Sequence, residues 1–176
     1  MAKSLNLRQY QEEIIARLET VSKSDAVEYG SRLGVVVGGQ LVLVSLAEIT
    51  EAVPLVELHQ VPLAKSWFLG MSNVRGNLYA INHLAQLTGL AMTAPTSDTR
   101  ILLLNEHVIS NVGLMVDKLV GLRNIQNMKQ ISANENVAEC FRKQAYEDVD
   151  ANVWLELSCD LLVKSREFTQ PSLVVH

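Results

Sequence analysis

Trp67-Phe68-Leu69-Gly70-Met71-Ser72-Asn73-Val74-Arg75-Gly76-Asn77-Leu78-Tyr79-Ala80-Ile81 is the stretch around which the rest of the chain is organised. Two aromatics and a glycine lead into Asn-Val-Arg-Gly, and an alternating apolar strand leaves it. Asn73 and Gly76 accept positive φ at low cost, so the backbone is expected to reverse there. Arg75 has little room to fold inward and is expected to point outward with its five donors free. The simplest role for such an arginine is solvation on a surface turn. Recognition of a partner is the alternative.

Upstream the apolar period is that of strands. Residues 33–37, Gly38-Gly39 and residues 41–44 read as a hairpin, two β-rich runs joined by a glycine pair. Ser45 with Glu48 three residues on resembles a capping box, opening a helix that ends before Pro54. On that helix Leu46, Ile49 and Val53 share one face, which leaves Glu51 exposed on another. Glu51 is then a solvated carboxylate, or the mate of Arg75 or of a partner's cation. Residues 55–62 look extended, and 64–68 suggest one turn of helix. Nearer the start, residues 5–21 predict an amphipathic helix, with Leu7, Tyr10, Ile14, Leu18 and Val21 opposed to Arg8, Glu12, Glu13 and Arg17. So narrow a stripe can pack on its own domain or on another chain, which makes self-association one of its two readings.

Downstream, residues 83–88 predict a short helix stopped by Gly89. Residues 92–99 are small, polar and proline-containing, the best candidate boundary. A second hairpin is expected from residues 101–104 and 108–116 around Asn105-Glu106-His107, and a further strand over 119–125. Residues 129–150 are the least periodic and read as a loop with one or two helical turns. A last strand over 153–157, anchored by Trp154, precedes a closing helix over 160–167 and a tail from Thr169.

Composition narrows the function. Fifteen basic against nineteen acidic residues give a net charge of −4. Nucleic-acid and anionic-membrane binding rest on clustered Lys and Arg, and no such cluster exists. No apolar run approaches the ~20 residues of a membrane helix. Cys140 and Cys159 lack metal-ligand spacing and are expected as two free thiols. His59, His83 and His107 are scattered and form no metal or catalytic pair. Neither a metal nor a cofactor is expected, and no catalytic residue is assigned. The one enzymatic alternative needs His83, Asp117 and Cys140 to converge in a pocket.

Gly70, Asn-Val-Arg-Gly at 73–76, and the strand with Leu78 and Ile81 resemble the signature of the CheW family of chemotaxis adaptors. Ile49-Thr50-Glu51-Ala52-Val53, Val61-Pro62, Leu114-Met115-Val116-Asp117 and Leu119-Val120-Gly121 are similar to further family landmarks in the same order. The resemblance spans roughly residues 30–165. It departs where Ala80, His83 and Leu84 replace the family's proline and Asp-Leu pair. It is strongest to the adaptors of type IV pilus (twitching) chemosensory systems, flagellar chemotaxis coupling being the alternative.

The resemblance implies an all-β-dominated fold: a pair of five-stranded SH3-like β-barrels with short helices and an N-terminal helix. It divides the chain into a helix and link (1–28), a domain of two interleaved barrels (29–168) and a tail (169–176). It also implies a non-catalytic, cytoplasmic adaptor at receptor clusters. One face would dock on the regulatory domain of a CheA-type histidine kinase, and a groove would take the cytoplasmic tip of a methyl-accepting chemoreceptor. Carried over residue by residue, Ile49, Glu51, Val53, Gly70, Asn73, Arg75 and Gly76 would lie at or support these surfaces. Ile49 and Val53 would supply apolar area, and Gly70 would admit another chain's backbone.

Overall fold

A computed structural model describes residues 30–141 and 144–173, so the helix expected over 5–21 lies outside the described residues. Gly38 and Gly39, at φ 57° and 77°, turn β1 (Ser31–Val37) into β2 (Gln40–Ser45), as the glycine pair predicts. There follow β3 (Ile49–Pro54), β4 (Phe68–Val74), β5 (Asn77–His83), α1 (Leu84–Leu87), β6 (Arg100–Leu104), β7 (Val112–Val116) and β8 (Lys118–Asn124). The chain continues through β9 (Lys129–Ile131), β10 (Ala145–Glu147) and β11 (Val153–Leu157) to α2 (Cys159–Lys164) and α3 (Arg166–Thr169).

The helix expected before Pro54 is a strand. Only Leu46–Glu48 form a 3₁₀ turn, and the Ser45 side chain makes no capping bond. Ile49 and Val53 instead pair with Leu104 and Ile101 of β6. A bulge between Ile49 and Glu51 breaks the two-residue alternation. Ile49, Ala52 and Val53 are therefore all buried, a spacing that imitates a helical stripe. The helical turn expected over 64–68 is absent too: Ala64 forms an isolated bridge to Ser172, and Phe68 already belongs to β4.

One sheet has the order β8-β1-β2-β11-β10-β9 and the other β3-β6-β7-β5-β4. The second has the expected five strands and the first has six. Residues 129–150, expected as a loop, supply two of its strands, β9 and β10, three residues each and too short to show a period. Residues 92–99 join strands of one sheet and are no boundary between sheets. Thr93 is tied beside the β1–β2 turn: its Oγ1 donates at 2.7 Å to Asp117, which also accepts from the Gly39 N–H.

Both faces of each sheet carry apolar side chains. On β6, Leu102 and Leu104 enter a core shared by the two sheets, while Ile101 and Leu103 enter a second core with Val53, Val74 and Ile81. Likewise Val42 and Val44 of β2 join the shared core, and Leu43 packs with Tyr146 and Trp154. Strands covered on both sides read as unbroken apolar runs, which is why they stand out in the sequence. Each fully buried leucine contributes about 1.5–3 kcal/mol.

Cys140 and Cys159 are buried free thiols, and burial pushes the Cys140 thiol up to about 11 and Cys159 well above its ordinary value. They are protonated core side chains. Nor are residues 170–173 a loose tail: the Lys65 N–H donates to Pro171 O and the Leu173 N–H to Leu63 O, both at 2.7 Å.

The β10–β11 loop closes on Asp148. Its carboxylate accepts from Trp154 Nε1 at 2.8 Å and from Asp150 and Asn152 N–H at 2.9 and 3.0 Å. These donors, the indole first, hold its pKa down to about 2 from 3.8. The folded value lies below the unfolded one, so the stabilisation is complete above the unfolded value and is lost as pH falls from about 4 to 2. Asp148→Asn should flatten the acid limb in that window, read as denaturant midpoints at stepped pH. An unchanged limb would mean the carboxylate is not held in this way.

Candidate partner-binding site

The β4–β5 turn is a two-residue loop between Val74 and Asn77, which are paired across it. Its central residues Arg75 and Gly76 both take positive φ, 52° and 88°. This is the primed turn that matches the right-handed twist of a hairpin. Positive φ was expected at Asn73 and Gly76. Gly76 meets that expectation, while the other positive φ falls on Arg75 in place of Asn73, which still belongs to β4 and serves through its side chain: Asn73 Oδ1 accepts from Gly76 N–H at 2.8 Å. A non-glycine residue in the left-handed region is uncommon and directs the side chain sharply outward.

Arg75 does point outward, with 69% of its side chain exposed, but not all of its donors are free. Nη1 and Nη2 donate to the two carboxylate oxygens of Glu51 at 2.6 and 2.5 Å, a bidentate fork. Glu51 sits on β3 and Arg75 at the end of β4, and these are the two edges of the five-stranded sheet. The ion pair thus spans the seam where that sheet curls back on itself. The pairing of Glu51 with Arg75, one of the readings open from the sequence, is the one realised.

The other residues assigned to this surface divide. Asn73 and Gly76 are exposed beside Arg75. Ile49 and Val53 are 5% and 6% exposed and sit in the shared core and the second core, so they back the surface and offer it no apolar area. Gly70 is buried, and the backbone that approaches it belongs to its own chain: a Cβ there would lie 2.3 Å from His59 O. A residue the sequence reading passed over is Leu78, 54% exposed and paired in register with Asn73. Its place two residues past the turn was the available signal.

Of the three residues of the enzymatic alternative, His83 and Asp117 lie within electrostatic reach of each other, but each is engaged in the fold and Cys140 is a buried thiol. Asp117 is taken up by Thr93 and by the Gly39 N–H at 3.3 Å. His83 lies at the start of α1, its amide donating to Trp67 O at 2.7 Å, and burial lowers its pKa against the pull of Asp117. Leu84 is fully buried. A pocket of about 420 Å³ lies elsewhere, lined by Arg32, Glu48, Gln144, Glu156 and Ser158 among others, with none of His83, Asp117 or Cys140. Among the described residues no group of three or more His, Cys, Asp or Glu is placed to hold a metal, and no helix is long and apolar enough to cross a membrane.

The CheW-like domain family matches residues 32–167, which takes in the turn and the strands on both sides of it. Protein PilI of Pseudomonas aeruginosa is 29% identical over 102 residues, 58% of this chain, and the match spans little more than half (57%) of PilI. The crystal structure of the scaffolding protein TtCheW from Thermoanaerobacter tengcongensis is similar with a TM-score of 0.67 at 16% identity, over 78% of this chain and 94% of that one. At that identity the likeness is one of fold. With the family match covering most of its length, the chain belongs to the CheW-like domain family.

Proposed function

We propose that this protein couples the cytoplasmic tip of a methyl-accepting chemoreceptor to the regulatory domain of a CheA-type histidine kinase. Its pathway is the control of type IV pilus twitching motility, and its place is the cytoplasmic side of receptor clusters. The likeness to PilI supports the pilus pathway. The observation that carries the reading is the Arg75–Glu51 fork, held outward on a rigid turn with Leu78 exposed beside it. A planar guanidinium next to an exposed leucine offers directional charge-assisted bonds and apolar area together.

Magnitudes separate this role from a structural one. Although the Glu51 side chain is only 18% exposed, the guanidinium is 69% exposed, and an ion pair so open to water contributes about 1 kcal/mol to stability. An arginine at the centre of an interface is worth roughly 1–3 kcal/mol of binding, about tenfold or more in affinity. Arg75→Ala should therefore unfold almost as the parent does, yet bind the cognate kinase regulatory domain or receptor tip at least about tenfold more weakly by calorimetry. The double exchange Glu51→Arg with Arg75→Glu keeps an ion pair at the seam and should not restore binding. Unchanged affinity in Arg75→Ala removes this residue from the interface.

A further inference from the structure

The family match ends at residue 167, but the chain goes on to make ordered contacts. Phe168 stacks on Trp67, with ring centroids 6.3 Å apart and 14° between the planes. Glu167 accepts from Trp67 Nε1 at 2.8 Å and from Lys65 Nζ at 3.2 Å. Pro171 and Leu173 then run beside residues 63–65, joined by the two backbone bonds already described. The C-terminal segment thus grips the stretch just ahead of β4 at three levels: ring, carboxylate and backbone.

What it grips is an arm, residues 57–65, that folds back on the outer edge of β4. The His59 and Met71 amides donate to each other's carbonyls at 2.8 and 2.9 Å, and Ser72 Oγ donates to Glu57 O at 2.7 Å. The arm has little core of its own: Val61 and Leu63 are 44% and 65% exposed, as is Leu173 at 53%. Leu63 sits at φ 58°, a conformation that leucine keeps only where its surroundings impose it. Its carbonyl is the one that receives the Leu173 N–H, so the restraint and the strained residue coincide. Once that bond breaks, Leu63 can return to extended backbone and lift the arm.

We propose that residues 166–173 are a strap that latches the 57–65 arm onto β4, and that the arm opens as a unit when the strap lets go. β4 carries Asn73 and leads directly into Arg75, so the latch regulates how firmly the partner-facing turn is held. That consequence rests on the adaptor reading; the latch itself does not.

Amide hydrogen exchange on the full chain tests it. Leu173→Pro removes the N–H donated to Leu63, and Glu167→Ala removes the acceptor shared by Trp67 and Lys65. Either should speed exchange at His59 and Met71 about tenfold, the equivalent of one hydrogen bond, and leave Val42 and Leu102 unchanged. Leu63→Asn, which accepts left-handed φ, should slow it severalfold. Unchanged protection at His59 and Met71 in both weakened variants overturns the latch. So does acceleration spread equally through β2 and β6, which would make the segment ordinary core. Binding of the kinase regulatory domain is measured on the same variants. A loss with Arg75 intact ties the latch to the interface. No binding of that domain even by the parent chain sinks the adaptor reading and leaves the exchange result to judge the latch alone.

Discussion

Gly70→Ala is expected to cost about 3 kcal/mol or more of folding stability, far above an ordinary glycine substitution. Two effects add. The residue takes φ 129°, a region that L side chains rarely enter. A Cβ there would also lie 2.3 Å from His59 O and 2.8 Å from its carbonyl carbon, and both atoms are backbone. Backbone cannot swing aside as a flexible side chain can. Relief requires the arm to leave β4, which breaks both His59–Met71 bonds. Gly76→Ala is the control: φ is 88°, but nothing lies within 4 Å of the added carbon. It should pay only for conformation, about 1–2 kcal/mol. Denaturant midpoints of the two variants read the difference directly. Equal losses would mean that the arm is not seated against β4.

The contrast between these glycines shows where the sequence is legible. The turn at Gly76 is local, so Asn-Val-Arg-Gly between strand-like runs announces it, even though the positive φ falls on Arg75 and not Asn73. The β1–β2 hairpin is local in the same sense. Gly70 depends on a segment eleven residues away, and no spacing rule connects His59 to it. The sequence therefore marks it as special but assigns the wrong neighbour, another chain in place of its own arm. The misreading of β3 has a different cause. Ser45-x-x-Glu48 is a fair capping signal, and it was followed by apolar residues at helical intervals; a bulge in a strand buried on both faces produces the same intervals. The C-terminal strap has no local signal because Pro171-Ser172-Leu173 is held only by an isolated bridge and backbone bonds to residues about a hundred positions earlier. For the site, residue types were legible and burial was not. Arg75 and Glu51 were recognised, whereas only three dimensions show that Ile49 and Val53 face inward and Leu78 outward.

Trp154→Ala should be the other severe substitution, with a loss of about 3–5 kcal/mol. Stabilities of domains this size are only about 5–15 kcal/mol, so the variant stands near the limit of folding. The indole is 2% exposed and, with Leu43 and Tyr146, forms the buried part of the six-stranded sheet's separate core. Its ring edge takes the space beside Gly34, where a Cβ would lie 2.9 Å from it. The Arg123 guanidinium covers it at 5.3 Å from the ring centroid, and Nε1 donates to Asp148. Truncation empties much of that core and removes the indole donor from the carboxylate that closes the β10–β11 loop, which keeps only its Asp150 and Asn152 donors. Trp154→Phe separates the two contributions: it keeps an aromatic ring and loses the N–H, and should cost about 1–3 kcal/mol. It should also weaken the dependence on pH between about 4 and 2, because the indole is the foremost cause of the low Asp148 value. The Arg75 turn is built by β4 and β5 of the other sheet, so a folded Trp154→Phe should bind the kinase domain as the parent does. If Trp154→Ala instead unfolds within about 1 kcal/mol of the parent, the six-stranded sheet does not depend on a core of its own, and the shared core alone supports the chain.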